Sequence, residues 1–176
     1  YIEEELDAGD VILKEYCEIS EEDTLGTLHD RLKELGAAGL EKALKLIREG
    51  KVQAEKQDET EVSFVKPITK EQTRINWNDT KETIYNQIRG LNPFPGAHTF
   101  TETGENVKIY RSEKIDKKYE GENGSIVEIV NKKGPVVKTS NGGIILLEVK
   151  FEGKKLQSGT DIINGRKLTV GNKFKN

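Results

Sequence analysis

The sequence predicts an α+β protein, with a helical N-terminal part, a polar linker and a small β-rich C-terminal part. Residues 23–49 carry leucines at helical spacing, whereas residues 98–157 contain short apolar stretches that glycine-containing turns separate. Short strands at such close spacing favour a small antiparallel barrel or sandwich. Between the two parts, residues 89–97 hold two prolines. Because proline fixes φ and lacks an N–H donor, we expect a rigid, extended elbow there, carrying the ring of Phe94.

The beginning of the chain combines turn residues with carboxylates. Residues 6–10 read Leu-Asp-Ala-Gly-Asp, and residues 11–19 contain an apolar run followed by alternation at the strand period. Asp tolerates tight turns and Gly supplies positive φ, so this pattern predicts a turn between two strands. A carboxylate at a strand end is a common position for catalytic groups in α/β folds. A carboxylate of this turn is therefore a candidate catalytic group.

The clearest helix lies at residues 23–49, where apolar residues recur every three or four positions. Asp23 or Thr24 can cap its start, and Gly50 can end it. The apolar face must pack against something, and two strands with one helix do not close a domain. We therefore expect the N-terminal third to be the tail end of a larger α/β domain.

A linker and a second helix follow. The polar residues 51–69 lack helical periodicity and predict an extended linker, with one strand-like stretch at 62–65. Residues 79–90 predict the helix, and we expect Glu82 to reach back to its start in a capping box. Gly90 then stops the helix.

Short strands dominate the rest of the chain. The candidates are residues 98–103, 107–112, 124–130, 135–139 and 144–151. Residues 116–123 form a charged loop, and residues 158–166 read as a short capped helix that closes the module.

Composition and charge limit the functional classes. No apolar run approaches the roughly 20 residues of a membrane span, so we expect no membrane partner. The single cysteine, Cys17, excludes an internal disulfide and favours a cytoplasmic location. Residues 1–69 carry 9 Lys/Arg and 18 Asp/Glu, whereas residues 70–176 carry 19 and 13. This asymmetry suggests that the basic part binds a polyanion.

Several stretches in order and over nearly the whole chain resemble methionyl-tRNA formyltransferase. They are residues 6–10, 22–32, 57–60, 74–77 and 88–97. One departure is Phe94, where the family usually has Trp. The chain also contains no methionine and begins just before the aspartate loop, so we expect the front of the natural protein to be missing.

The resemblance implies a domain organisation. The family joins a Rossmann-like domain, which binds 10-formyltetrahydrofolate, through a linker to an OB-like antiparallel β-barrel that helps to hold initiator Met-tRNA. By this resemblance, residues 1–50 are the C-terminal remnant of the formyltransferase domain. Residues 51–69 are the linker, and residues 70–176 are the OB-like tRNA-binding domain with flanking helices.

The resemblance also implies site residues. Asp7 matches the catalytic aspartate of a set that includes an Asn and a His, which belong upstream of this chain. The loop along the folate pterin matches Glu4, Glu5 and Leu6. Formyl transfer develops negative charge on the formyl oxygen, which paired donors can stabilise, while a carboxylate keeps the histidine protonated and helps to move the proton. We therefore expect this chain to be inactive alone.

Basic residues are the candidates for holding the RNA, because Lys and Arg bound to phosphates set its affinity. Our candidates are Lys66, Lys70, Arg74, Arg89, Lys108, Lys150 and Lys154. We expect a monomer with no metal, and 10-formyltetrahydrofolate as the co-substrate.

Two alternatives stay open. A related formyltransferase that acts on an amino sugar nucleotide shares the aspartate loop and a proline-rich elbow. A stand-alone OB-like module would instead bind any single strand through surface aromatics. The linker motif and the basic C-terminal part favour the tRNA enzyme.

Overall fold

The computed structural model describes residues 3–176, which divide into two compact units. Unit 1 contains the residues up to Glu21 together with Thr27–Pro67, and unit 2 contains Glu22–Gly26 together with Ile68–Asn176. Among the described residues, no helix has the length and apolar character needed to cross a membrane.

One long helix dominates unit 1. Helix α1 runs without interruption over Leu25–Arg48, and Gly50 follows it with a positive φ of 66°. None of its residues is buried, and the side chains of Leu40 and Leu44 are 62% and 57% exposed. The apolar stripe that the sequence shows on this helix therefore faces solvent along much of its length.

The strands expected in unit 1 do not form within its described residues. Val11 makes a single backbone bridge to Glu55, with both N–H···O distances at 2.9 Å, and residues 13–20 have no regular structure. The prediction of a strand at 62–65 was also wrong, because this stretch is irregular and the preceding Glu59–Glu61 form a short 3₁₀ turn. Alternation shows that a segment fits a sheet surface, but a strand also needs a hydrogen-bonding neighbour.

Unit 2 begins its regular structure with a 3₁₀ turn and a short helix. The 3₁₀ turn covers Glu71–Thr73, and helix α2 covers Lys81–Gly90. Thr80 caps α2 by accepting a hydrogen bond from the Thr83 amide. The predicted capping box was wrong, since Glu82 lies one position too early and accepts instead from the Asn141 side-chain amide at 2.9 Å.

A curled antiparallel sheet follows. Its strands are β1 Ala97–Thr101, β2 Asn106–Ile115, β3 Ile126–Val130, β4 Gly134–Thr139, β5 Gly142–Phe151, β6 Gln157–Ser158 and β7 Phe174–Lys175. The order is β3-β4-β5-β2-β1-β7, with β6 paired to β5. A bridge between Ser125 and Lys173 joins the chain beside the two outermost strands, so the sheet curls until its edges meet. The predicted short strands and their antiparallel arrangement are confirmed.

The core of unit 2 lies inside this sheet, with α2 and a third helix against it. Trp77 is fully buried, stacks on Phe174 at 5.6 Å between ring centroids, and donates its indole N–H to Thr99 at 3.0 Å. Helix α3, Gly159–Asn164, has a capping box in which Ser158 and Asp161 satisfy each other's backbone amides. The capped closing helix that the sequence predicts is confirmed.

The proline elbow is compact where we expected an extended segment. Residues 91–95 form consecutive turns, and both proline peptide bonds are cis. The Gly96 amide donates back to the Leu91 carbonyl at 2.9 Å, which closes the loop. The Asn92 side chain ties the loop to the sheet by donating to the Tyr110 carbonyl at 2.7 Å. The elbow therefore turns sharply from α2 into β1.

Candidate functional site

The aspartate loop of unit 1 has a defined geometry. Asp7 adopts a left-handed φ of 60°, and its residue is exposed. The side-chain amide of Gln57 donates two hydrogen bonds into the loop, to the carbonyls of Asp7 at 2.8 Å and Gly9 at 2.7 Å. This clamp crosses 50 residues of sequence. It fixes the loop through its backbone and leaves the Asp7 carboxylate available.

The chain around Gln57 is itself held in place. The backbone bridge between Val11 and Glu55 lies next to the loop, and the Lys14 ammonium pairs with the Glu55 carboxylate at 2.8 Å. Asp58 accepts hydrogen bonds from the side chain and the backbone amide of Thr60, and these hold the pKa of the Asp58 carboxyl below its usual range. Sequence reasoning noted residues 57–60 as a motif but assigned no role to Gln57, because only the folded chain shows what its amide reaches.

The other residues of the predicted folate loop are also exposed. Glu4 and Glu5 lie in a bend, and Leu6 has nearly its whole side chain in solvent. Among residues 3–176, no cluster of His, Cys, Asp and Glu has the make-up of a metal site. The arrangement of unit 1 is thus an exposed carboxylate loop that one glutamine positions.

Several of the predicted RNA-binding residues lie on one face of unit 2. This basic face consists of Lys70, Arg74, His98, Lys108 and Lys150. Lys108 on β2 lies directly opposite His98 on β1 and also opposite Lys150 on β5. Residues directly opposite each other in an antiparallel pair point to the same side of the sheet. Phe100, two residues after His98, shares that side, and its ring meets the His98 imidazole edge-on at 5.5 Å.

His98 lies at the centre of this face. It is only 6% exposed, and burial lowers the pKa of its imidazole, followed by the nearby charges of Lys70, Lys108 and Arg74. Its Nδ1 lies 3.1 Å from the hydroxyl of Thr73, which itself donates to the Lys70 carbonyl at 2.7 Å. A hydroxyl has one proton to give. Thr73 therefore accepts from His98 Nδ1–H, and the neutral imidazole keeps a lone pair on Nε2.

Arg74 has a structural task as well as a charge. Its guanidinium lies 5.5 Å from the centre of the Phe100 ring and donates to the Asn176 carbonyl. The Asn176 side chain in turn accepts from the Trp77 amide at 2.8 Å. Arg74 therefore joins the basic face to the end of the chain.

The remaining predicted cations lie elsewhere. Arg89 is at the end of α2, where it donates to the Asp23 carbonyl at 3.1 Å and to the Asn86 side chain at 2.8 Å. Lys154 lies in the turn after β5, and Lys66 lies in the irregular end of unit 1. The structure thus brings four of the seven predicted basic residues together.

Two family models match the chain. The model described as "Formyl transferase, C-terminal domain" matches residues 67–167, and the one described as "Formyl transferase" matches residues 1–44. The first covers more than half of the chain and coincides with most of unit 2. The second contains the aspartate loop and most of α1.

Curated relatives agree with these models. Methionyl-tRNA formyltransferase of Fusobacterium nucleatum subsp. nucleatum is 51% identical over 99% of this chain and 56% of its own length. The protein of the same name from Bacillus cytotoxicus is 42% identical over 99% of this chain and 55% of its own length. The chain therefore spans little more than half the length of these relatives.

Solved structures show the same fold. HypX from Aquifex aeolicus in complex with tetrahydrofolic acid superposes with a TM-score of 0.69 at 16% identity, over 99% of this chain and 32% of HypX. A variant of HypX gives a TM-score of 0.71 at 17% identity, over 96% of this chain and 30% of HypX. The fold therefore agrees with the two family models, which match the N-terminal and C-terminal parts of the chain in that order. The chain belongs to the formyl transferase family.

Proposed function

We propose that this chain is part of a methionyl-tRNA formyltransferase, which transfers a formyl group from 10-formyltetrahydrofolate to the amino group of initiator Met-tRNA in translation initiation. The observation that carries the proposal is the similarity to such enzymes over 99% of the chain. Formylation of an initiator tRNA takes place where translation starts, so we propose a cytoplasmic location. We also propose that the protein is a monomer.

We further propose the domain organisation of the family for this chain. Residues 1–50 form the tail end of a Rossmann-like domain, residues 51–69 the linker, and residues 70–176 an OB-like barrel. The antiparallel sheet whose edges meet supports the barrel. The solvent-facing apolar stripe of α1 supports the first assignment, because a lone amphipathic helix leaves its stripe without a partner.

In the proposed reaction, Asp7 acts on the protons. The attacking amine must be neutral and loses a proton as the new C–N bond forms, while negative charge develops on the formyl oxygen. The bond between the formyl carbon and N10 of the folate then breaks, and N10 takes up a proton as it leaves. The carboxylate of Asp7 orients a protonated histidine towards that oxygen and helps to remove the proton from the nitrogen. Glu4, Glu5 and Leu6 line the folate pterin. Gln57 holds the loop in register, since a carboxylate works only at a fixed distance from the reacting atoms.

The basic face supplies the proposed tRNA contact. Lys70, Arg74, Lys108 and Lys150 present adjacent cations to the phosphate backbone, whose neutralisation drives such binding. We retain Lys66, Arg89 and Lys154 as further RNA-binding residues. Arg89 combines this role with its hydrogen bond to the Asp23 carbonyl.

A chimera tests the catalytic proposal. The segment of the Fusobacterium relative that precedes the matched region is joined to this chain, and formyl transfer to Met-tRNA is measured. We expect turnover by the chimera, no turnover by the 176-residue chain alone, and a loss of about 10²–10⁴-fold in kcat for Asp7→Asn. Asp10→Asn, in the same loop, is the matched control and should retain activity.

Two results would contradict the proposal. The first is full activity of the Asp7→Asn chimera. The second is tighter binding of an amino sugar nucleotide than of initiator tRNA, which a filter-binding competition would reveal. Equal binding of tRNA and any single-stranded RNA would instead favour a general nucleic-acid-binding module.

A further inference from the structure

A cavity of unit 2 lies between the proline elbow and the basic face. Its volume is about 300 Å³, and its walls include Lys70, Thr73, Phe94, Pro95, His98 and Lys108. No carboxylate belongs to the described lining. The size is at the lower end of the range for small-molecule sites, and the lining combines an aromatic ring with cations.

The aromatic ring is presented to solvent on a firm support. Phe94 is 77% exposed, although it stands between two prolines in a closed turn. The Lys108 ammonium donates to the Pro95 carbonyl at 2.8 Å, which ties the turn to β2. An exposed aromatic ring on a turn that is tied to the sheet can serve as a stacking platform for a flat partner.

The charged side chains in the described lining of the cavity are lysines. Lys70, Lys108 and Arg74 all lie close enough to lower the pKa of the His98 imidazole. Lys150 is the cross-strand neighbour of Lys108. Phosphate is the natural partner of such a group. The cavity therefore offers a ring for a base beside cations for the phosphate that the base carries.

Polar groups near the ring provide for the edge of a base. Because His98 Nδ1–H donates to the Thr73 hydroxyl, Nε2 of the neutral imidazole is left as an acceptor, and Asn106 lies in the same wall. Both can hydrogen-bond a base or a ribose hydroxyl. A base inside a duplex has both faces covered by its neighbours, so only an unpaired nucleotide can use this arrangement.

We propose that the elbow cavity binds one unpaired nucleotide of the RNA, with its base stacked on Phe94 and its phosphate held by Lys70 and Lys108. This inference rests on the proposed function for the identity of the RNA. It adds to that function a subsite for a single unstacked base, distinct from the general attraction of the basic face.

The test compares three RNAs on the 176-residue chain: an all-adenine RNA hexamer, a blunt RNA duplex and an initiator tRNA transcript. We expect Phe94→Leu to weaken hexamer binding by about 5- to 10-fold, towards the lower end of measured base–aromatic stacking effects, with duplex binding unchanged. Phe94→Trp should keep the affinity, and its fluorescence should be quenched when the hexamer binds.

A matched control uses the same substitution at another exposed ring. Phe64 of unit 1 is 94% exposed, and Phe64→Leu should leave binding of all three RNAs unchanged. Circular dichroism melts of each variant check that the fold is intact. The inference is overturned if Phe94→Leu binds the hexamer as the unmodified chain does, or if Phe64→Leu weakens it equally.

The outcomes separate the inference from the proposed function. If Phe94→Leu has no effect while Lys150→Gln weakens tRNA binding, the nucleotide subsite is wrong and the tRNA-binding face stands. If the unmodified chain binds the hexamer but not the tRNA transcript, the subsite stands and the proposed substrate is wrong. If no RNA binds, both are rejected.

Discussion

Gln57 illustrates how one side chain can hold the aspartate loop, residues 6–10, from a distant point in the sequence. Its two amide hydrogens satisfy the carbonyls of Asp7 and Gly9, while the backbone of residue 7 sits in the left-handed region. An exposed turn with such a conformation has competing states close in energy. The amide reduces that freedom, so the position of the Asp7 carboxylate depends on Gln57.

Removing this amide should therefore reduce turnover. We expect Gln57→Ala in the active chimera to lower kcat by about five- to tenfold, because the variant lacks two exposed hydrogen bonds of about 1 kcal/mol or less each. Affinity for tRNA should not change. Gln53→Ala, in the same irregular segment, is the control. A Gln57→Ala chimera with unaltered kcat would show that other interactions fix the loop.

Glu82 gives a residue-scale prediction about pH. Hydrogen bonds from Lys81, then from Asn141 and its own backbone amide, lower the pKa of its carboxyl from 4.5 to about 2. The unfolded chain binds the proton more readily, so this contribution to stability is present above pH 4.5 and disappears as the pH falls towards 2.

The measurement is a series of thermal melts across that interval. Glu82→Gln should have a lower Tm than the unmodified chain at pH 7, and the difference should shrink as the medium is acidified. The exposed Glu41 of α1 provides the control substitution Glu41→Gln. A constant difference at every pH would mean that the carboxylate charge is not what stabilises the start of α2.

At the scale of the element, α3 packs unusually close to the sheet. A Cβ at Gly159 would lie 2.0 Å from the Lys133 carbonyl oxygen, and one at Gly134 would lie 2.0 Å from the Leu146 carbonyl oxygen. These atoms belong to backbone that cannot move aside cheaply. The two glycines are therefore required for α3 to approach β4 and β5 at this distance.

Alanine substitutions should separate this packing role from helix propensity. Gly159→Ala should lower the free energy of unfolding by about 3 kcal/mol or more, as severe overpacking does. Gly36→Ala, at an open position within α1, should raise the free energy of unfolding by up to about 1 kcal/mol, because Ala favours a helix more than Gly does. Urea unfolding followed by circular dichroism measures both, and equal values for the two variants would contradict the packing argument.

Elements were predicted well where their signals are local. The strands of unit 2 and both of its helices follow from glycine turns, capping residues and apolar periodicity, all of which lie within the segment concerned. The strands expected at 11–19 and 62–65 failed because pairing is a relation between two segments, and one segment alone does not disclose it. The capping box expected at Glu82 does not form, because the N-cap of α2 is Thr80 and not Asp79, and Glu82 then lies one position before the one that a capping box requires.

At the scale of the whole molecule, some parts of the candidate site can be predicted from the sequence and others depend on the fold. The charge asymmetry and the aspartate motif are visible in the order of residues, so Asp7 and the basic candidates were named. The register that sets Lys108 opposite both His98 and Lys150 is a property of the folded sheet. For the same reason, neither the Gln57 amide nor the exposed ring of Phe94 was assigned a function.

Salt dependence provides a test at this scale. Replacing Lys70 and Lys150 by Glu should weaken tRNA binding at low salt by at least about 1 kcal/mol and reduce the slope of log affinity against log salt by about 1 for each phosphate that is no longer neutralised. Filter binding at several salt concentrations measures both quantities. Lys132→Glu, in the turn between β3 and β4, is the control. An unchanged slope in the double variant would reject the basic face as the tRNA-binding surface.

The path of the chain between the units has a practical outcome. After Glu21 the chain enters unit 2 for five residues, where the Gly26 amide donates to the Asn92 carbonyl at 2.9 Å and Arg89 holds the Asp23 carbonyl, before unit 1 resumes at Thr27. A protease that cleaves the exposed stretch before Pro67 would therefore not release an intact unit 2. The two cleavage products should co-elute in native gel filtration and part only when a denaturant is added.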